Sequence, residues 1–144
     1  MNKVIICKGL PGSGKTRWAK EFLKGNPSFI RANRDEIRLM LGRSFSHRFE
    51  DVVTKVEHSA ILAALEKGYD VIVDDTNLNP VTVKKIEDLV LGKAEIEIKS
   101  FLDVSPEECI KNDSEREGKS KVGPDVIWGM YNKYLKTNDN ITTD

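Results

Sequence analysis

Short apolar runs alternate along this chain with longer segments in which apolar residues recur every three or four positions. The runs predict four strands: Lys3–Cys7, Ser28–Ala32, Val71–Val73 and Glu95–Leu102. The recurring segments predict the helices: Lys15–Leu23, Arg34–Leu41, a long segment from Val52 to Lys67, Pro80–Leu91, Pro106–Asp113 and Asp125–Leu135. Strands that alternate with helices indicate an α/β fold with a parallel sheet and right-handed crossovers, whose ligand site lies beyond the carboxyl ends of the strands.

The same pattern predicts which side chains face inward. Val71–Val73 has no polar alternation, as in a central strand that is buried on both faces. Glu95–Leu102 alternates, so we expect one exposed face and an inward face with Ile96 and Ile98. The inward residues expected in the long helix are Val52, Val56, Ser59 or Ala60, and Ala63, with Gly68 as its C-cap. Residues 112–123 are too polar to belong to a core.

The first predicted strand leads into a glycine-rich motif, Gly9–Thr16, that matches G-x-x-x-x-G-K-[ST] at every fixed position. A loop of this kind directs backbone N–H groups at nucleotide phosphates, while its lysine reaches the β and γ oxygens and its hydroxyl binds Mg²⁺. The expected phosphate-binding residues are Gly12, Ser13, Gly14, Lys15 and Thr16. A glycine-rich hairpin turn is the alternative, but a preceding strand and a following helix favour the phosphate loop.

Composition limits the possible classes of protein. A chain of 144 residues with 39% apolar and 32% charged residues is typical of one soluble globular domain. No apolar run approaches a membrane span, and no secretory signal follows the N-terminus, so we expect a cytoplasmic protein without a membrane partner. Cys7 and Cys109 lack metal-ligand or redox spacing and are interpreted as packing residues. Residues 136–144 are expected to be a flexible tail.

The net charge is zero, but its distribution is uneven. Five of the seven arginines fall between positions 31 and 48, where only Asp35 and Glu36 offset them. The five are Arg31, Arg34, Arg38, Arg43 and Arg48. This segment predicts an electropositive patch suited to phosphate recognition, with a merely solvated charged face as the alternative.

Asp35 is the candidate general base of a phosphoryl transfer. It follows a predicted strand and stands three residues before Arg38, so one helical turn puts both side chains on one face. Arg38 would then bind a phosphate or carboxylate of the acceptor while Asp35 receives the proton of its hydroxyl. An equally open interpretation makes Asp35 the N-cap of the helix, with a surface ion pair to Arg38.

Two further positions suit a nucleotide site. Asp74 and Asp75 end the buried third strand, where P-loop enzymes place an acid that organises Mg²⁺. Arg116 stands alone among the arginines of the C-terminal half and lies in a charged segment that suits a lid over the phosphates. A solvated surface position is the alternative for Arg116.

Three segments together, residues 9–22, Asn33–Arg38 and Val73–Pro80, resemble the kinase domain of the bacteriophage 5′-polynucleotide kinase family. The resemblance implies a P-loop NTPase-type parallel sheet over residues 1–135 with a charged lid. It implies catalytic roles for Lys15, Asp35, Arg38 and Arg116, with Thr16 and Asp75 at Mg²⁺. A role of Asp74 at the metal through water is the open alternative. The phage family carries a further phosphatase domain, which has no counterpart here, so 3′-end healing is not expected. Residues 41–50 form a shorter segment than in the family, so the family's acceptor preference is not carried over to this chain.

These observations predict a kinase that transfers the γ-phosphate of ATP, or of another nucleoside triphosphate, to the 5′-hydroxyl end of DNA or RNA, with Mg²⁺. Phe45 and Phe49, near the arginines, are candidates for stacking on an end base, although core packing is the more ordinary role. A kinase of small metabolites or nucleotides on the same scaffold is one alternative. A non-catalytic nucleotide-binding switch is another, and such a protein would have no use for Asp35.

Overall fold

A computed structural model describes residues 1–42, 47–116 and 121–136. Four strands are present in the described part: β1 Asn2–Lys8, β2 Phe29–Ala32, β3 Asp70–Val73 and β4 Ala94–Ser100. The helices there are α1 Lys15–Gly25, α2 Arg34–Met40, α3 Glu50–Glu66, α4 Pro80–Val90, α5 Pro106–Ser114 and α6 Pro124–Met130, which continues as a π-helical turn over Tyr131–Leu135. The predicted order of strands and helices is confirmed, while the expected tail beyond residue 136 lies outside the described residues.

The strands form one parallel sheet in the order β2-β3-β1-β4. At its centre, Ile5 of β1 lies beside Ile72 of β3 and Glu97 of β4. The carboxyl ends of β1 and β3 therefore meet at one edge of the sheet, and the N–H of Gly9 donates to the carbonyl of Thr76 there at 3.0 Å. The expected α/β fold with about four parallel strands is confirmed, and its topology brings the glycine-rich loop next to the two aspartates after β3.

The core lies on both faces of the sheet because side chains alternate along each central strand. Val4 and Ile6 of β1 pack on one side against α3 and α4, through residues such as Ile61 and Ile86. Ile5 and Cys7 point to the other side, where α1 covers them with Ala19 and a group of aromatic rings. Burial raises the pKa of the Cys7 thiol to about 12, as expected for a packing residue.

The inward face of α3 differs from the prediction. Val52 is 49% exposed, and the buried positions are one residue further on, at Val53, Glu57, Ile61, Ala64 and Leu65. The prediction failed because Glu57, a charged residue, occupies a position on the buried face. If every charged residue is taken as exposed, a buried Glu57 moves the predicted buried face to the neighbouring positions of the helix.

Two smaller expectations also need correction. Ile98 is 45% exposed, because β4 is an edge strand whose carboxyl half is only thinly covered. Asp113 is only 1% exposed although residues 112–123 were expected to lie outside the core. Its carboxylate accepts hydrogen bonds from the backbone N–H groups of Val122 at 3.0 Å and Gly123 at 2.8 Å, which compensates for its burial.

Candidate active site

The glycine-rich loop connects β1 to α1 and is held against α5. Gly12 and Gly14 have φ values of 85° and 99°, in the left-handed region that favours glycine. A methyl group at Gly12 would collide with the backbone carbonyl of Cys109. The side chain of Asn112 also donates to the carbonyl of Gly12 at 2.8 Å. Helix α5 therefore packs directly on the loop, a contact that the sequence pattern did not indicate.

Lys15 begins α1 and points back into the loop. Its ammonium donates to the carbonyl of Leu10 at 2.8 Å and to Ser13 Oγ at 3.4 Å. The residue is 7% exposed, and burial lowers the pKa of the ammonium, although the charge of Asp74 opposes this shift. A buried cation at the mouth of a loop of backbone N–H groups suits an anionic ligand such as a phosphate.

Asp74 lies where the loop, β2 and β3 meet. Its Oδ2 accepts from Thr16 Oγ1 at 2.9 Å and from Arg31 Nε at 2.8 Å. Its backbone carbonyl accepts from Asn33 Nδ2 at 2.6 Å. Its Oδ1 is buried without a hydrogen-bond partner in the described part of the chain. An orphaned carboxylate oxygen beside a hydroxyl is an oxygen donor set of the kind that Mg²⁺ prefers.

Asp75 points away from the loop and towards α2 and α3. Its Oδ1 accepts from the backbone N–H of Arg34 at 2.8 Å, which fixes the start of α2. On its other side lies Glu57, 1% exposed, which also pairs with Arg34 at 3.7 Å. Burial, with the charge of Asp75 and a hydrogen bond to it, raises the pKa of Glu57 to about 10. Burial raises the pKa of Asp75 as well, so the two neighbouring carboxyls favour a form that shares one proton, which we assign to Glu57.

Asp35 and Arg38 are one turn apart on α2, as the sequence predicts. Arg38 Nη1 lies 2.6 Å from Asp35 Oδ1, and the Asp35 side chain is 84% exposed. The interpretation of Asp35 as N-cap is wrong, since Asn33 caps the helix by accepting from the N–H of Glu36 at 2.8 Å. The carboxylate of Asp35 is thus available to a ligand in the cavity that it lines.

Glu50, the first residue of α3, holds both arginines of α2 and was missed by the sequence analysis. Its carboxylate accepts from Arg38 Nε at 2.9 Å and from Arg38 Nη2 at 2.6 Å, and Oε1 also lies 3.1 Å from Arg34 Nη2. Hydrogen bonds from these arginines hold the pKa of Glu50 below its ordinary range. Like charges four residues apart on a helix repel, so this shared carboxylate stabilises the pair.

The arginine-rich segment is consequently less electropositive than its sequence indicates. Arg31 pairs with Asp74, while Arg34 and Arg38 pair with Glu50. Arg48 stacks over the ring of Phe49, with 5.9 Å from its guanidinium carbon to the ring centroid. Arg43 and Phe45 lie outside the described residues.

One cavity of about 740 Å³ joins these groups. Its lining includes Lys15, Thr16 and Asp74 at the phosphate loop and Asp35 and Arg38 of α2. The structure therefore brings the two predicted halves of the site into a single pocket.

Arg116 lines the same cavity from the end of α5. Its guanidinium lies 3.8 Å from Asp113, and the side chain is about one-third exposed. The charged segment expected as a lid includes Glu115 and Glu117. Residues 117–120 of this segment lie outside the described residues. No helix in the described ranges is long and apolar enough to cross a membrane.

Comparison with protein families gives the class of the chain. A family model described as an AAA domain, AAA_33, matches residues 4–135. The chain belongs to this AAA domain family. The matched range includes the glycine-rich loop, the aspartates after β3 and the Asp35–Arg38 turn, so all parts of the pocket described above fall within the AAA domain.

Relatives of this AAA domain agree with the resemblance found in the sequence. It is 28% identical to a candidate bifunctional polynucleotide kinase/RNA ligase of Autographa californica nuclear polyhedrosis virus, over 95% of this chain and 21% of that protein. A chain of the solved Pnkp1/Rnl/Hen1 RNA repair complex is also 28% identical, with a TM-score of 0.84, over 96% of this chain and 46% of that one. The chain thus spans less than half the length of these relatives.

The fold is shared more widely. A gluconokinase from Sinorhizobium meliloti 1021 superposes with a TM-score of 0.57 at 14% identity, over 90% of this chain and 73% of that one. At this level of identity the likeness concerns the fold alone, which is that of P-loop kinases, as the glycine-rich loop predicts.

The protonated Glu57 predicts a pH-dependent effect of Glu57→Gln on stability. An acid whose pKa rises on folding contributes stability at low pH that is lost as the pH increases from its ordinary value of 4.5 towards about 10. The glutamine amide keeps a hydrogen-bond donor for Asp75 but has no proton that it could release as the pH rises. Relative to the parent AAA domain, the variant should gain at least about 1 kcal/mol of unfolding free energy between about pH 5 and about pH 9.

Urea unfolding at the two pH values measures this difference. The matched control is Glu66→Gln at the exposed end of the same helix, which should not change the pH dependence. A constant difference between Glu57→Gln and the parent at both pH values would contradict the assignment of a proton to Glu57.

Proposed function

We propose that this chain is an ATP- and Mg²⁺-dependent kinase that phosphorylates the 5′-hydroxyl end of DNA or RNA. The observation that carries the proposal is the single cavity that joins the phosphate loop to the Asp35–Arg38 pair. A nucleotide-binding switch needs the loop alone, whereas an exposed carboxylate beside an arginine, opposite the loop, suits a hydroxyl acceptor with an adjacent anion. The similarity to a polynucleotide kinase/RNA ligase and to a chain of an RNA repair complex points to nucleic acid as that acceptor.

The donor would lie in the phosphate loop. Backbone N–H groups of Gly12–Gly14 would bind its β- and γ-phosphates at the N-terminus of α1. Lys15 would exchange its bond to the carbonyl of Leu10 for a phosphate oxygen, which replaces a weak acceptor with a charged one. Arg116, on the other wall, would stabilise charge on the transferred group.

The hydroxyl of Thr16 and the carboxylate of Asp74 would hold Mg²⁺, which when bound neutralises charge on the phosphate oxygens. The sequence resemblance favoured Asp75 for this role. The geometry supports Asp74 instead, because Asp74 contacts Thr16, whereas Asp75 faces Arg34. Asp75 would position the acceptor site through its bond to the N–H of Arg34.

The acceptor would lie on α2. Arg38 would bind the phosphate next to the terminal nucleoside and align its 5′-hydroxyl with the γ-phosphorus. The hydroxyl oxygen forms a bond to phosphorus as the bond to the bridging oxygen breaks, and the electron pair leaves with the nucleoside diphosphate. The proton of the hydroxyl passes to the carboxylate of Asp35, which Arg38 holds in place at 2.6 Å.

Asp35→Asn should reduce kcat by about 10²- to 10⁴-fold, the range for loss of a general base, while ATP binding is retained. Lys15→Ala should weaken ATP binding and also lower kcat, because it removes the cation at the phosphates. The measurement is transfer of labelled γ-phosphate to a 5′-hydroxyl oligonucleotide, to nucleosides and to sugars. Asp51→Asn, an exposed acid on α3, is the matched control and should retain activity.

Label that enters only small molecules would refute the polynucleotide acceptor. Full activity of Asp35→Asn on the oligonucleotide would remove Asp35 from the reaction. Nucleotide binding without transfer to any acceptor would favour the switch.

The metal assignment predicts that Asp74→Asn and Asp75→Asn differ. Asp74→Asn should raise the free Mg²⁺ concentration for half-maximal activity by about 10- to 100-fold, whereas Asp75→Asn should lower activity without that shift. A titration of Mg²⁺ at saturating nucleotide measures both. The opposite result, a shift for Asp75→Asn alone, would restore the assignment to Asp75.

A further inference from the structure

Residues of α3 and α4 also line the cavity, and the part between these two helices is called the groove below. Thr54 and His58 are one turn apart on α3, and Thr82 and Lys85 are one turn apart on α4; all four line the cavity. Thr54, His58 and Thr82 are half-buried, so they form walls of the groove rather than its rim. The groove thus has a stripe of hydroxyl, imidazole and ammonium groups on its two sides.

The charges in this groove differ from those at the arginines. Arg34 and Arg38 share the single carboxylate of Glu50, and Arg38 also pairs with Asp35. Within residues 1–42, 47–116 and 121–136, no carboxylate lies within ion-pair distance of Lys85. Its neighbour Lys84, by contrast, pairs with Asp88 on the outer face of α4. The groove therefore contains an uncompensated cation that the mechanism above does not use.

The imidazole of His58 lies within electrostatic reach of several cations. Its pKa lies below the ordinary value because of burial first, and then because of the positive charges of Arg34, Lys85 and Lys55. At neutral pH the ring is uncharged and has one N–H to donate. An imidazole with three cations around it is a favourable neighbour for an anion that enters the groove.

We propose that this groove binds a second backbone phosphate of the acceptor strand, one nucleotide further from the reacting end than the phosphate at Arg38. The proposal rests on the proposed polynucleotide kinase function and specifies its substrate. Hydroxyl, imidazole and ammonium donors are the groups that contact nucleic-acid phosphates.

The spacing along α3 supports this position. Thr54 accepts from Arg34 Nη2 at 2.9 Å, and His58 is one turn of α3 further on, a rise of about 6 Å. That rise is comparable with the distance between successive phosphates of a single strand. Arg38 contacts Glu50, and Arg34 contacts Thr54 one turn further along α3. A strand whose first phosphate lies between these two arginines would extend its next phosphate along α3 towards His58 and Lys85.

The expected consequence is a preference for acceptor length. A 5′-hydroxyl nucleoside 3′-phosphate reaches only the arginines, whereas a dinucleotide with a 3′-phosphate also reaches the groove. We expect the second phosphate to increase kcat/KM of the wild-type chain by about five-fold or more, within the range of a charge-assisted contact. A third phosphate should add much less.

The experiment measures kcat/KM for 5′-hydroxyl acceptors with one, two and three phosphates, in the wild type, Lys85→Gln and His58→Gln. Both variants should lose most of the gain from the second phosphate and keep the wild-type kcat/KM on the one-phosphate acceptor. Lys84→Gln is the matched control, with the same charge change outside the groove, and should keep the full gain. For the longer acceptors, Lys85→Gln should also reduce the salt slope of log kcat/KM by about 1.

Each other result overturns the inference. An equal gain in the wild type and in Lys85→Gln, or no gain in the wild type, removes the groove as a phosphate site while the kinase function stands. A loss by the same factor on every acceptor, including the shortest, indicates a general effect on the fold. If the wild type labels no nucleic acid at all, the proposed function fails and this inference fails with it.

Discussion

The site depends on the pair of adjacent aspartates at the end of β3. Successive side chains of an extended chain point to opposite sides, so Asp74 turns towards the phosphate loop and Asp75 towards α2 and α3. Each carboxylate has its own donors, while one oxygen of each is buried without a partner among the described residues. One dipeptide directly after a central strand thereby connects the half that would bind the donor to the half that would bind the acceptor.

The negative charges of Asp74 and Asp75 are stabilised in different ways. On the loop side, Asp74 stays beside Arg31 and the hydroxyl of Thr16. On the other side, Asp75 faces a second carboxyl, and proton binding by Glu57 removes the repulsion that two adjacent charges would produce. Two adjacent buried carboxylates destabilise the fold unless one of them is neutral. Asp75 therefore depends on the proton of Glu57, whereas Asp74 depends on the cation of Arg31.

Much of the fold and part of the site could be predicted, because those features are local. The glycine-rich loop, the helix of Asp35 and Arg38, and the apolar run of β3 are each encoded within a few residues. Contacts between elements are not encoded in that way. Glu50 meets Arg38 across 12 residues, and Asn112 meets the loop across 100, so no periodicity reveals them. Glu57 also misled the pattern, since its burial depends on partners from other elements.

The packing of Gly12 on α5 has a further consequence for the geometry of phosphoryl transfer. The same backbone that would surround the phosphates also forms the floor on which α5 rests, through Cys109 and Asn112. Arg116 is two residues beyond the end of that helix, so the packing of α5 on the loop also determines where Arg116 lies. A larger residue at position 12 would displace α5, and Arg116 with it. Glycine is therefore needed at position 12 for two reasons: the positive φ of the loop, and the close approach of α5, which positions Arg116.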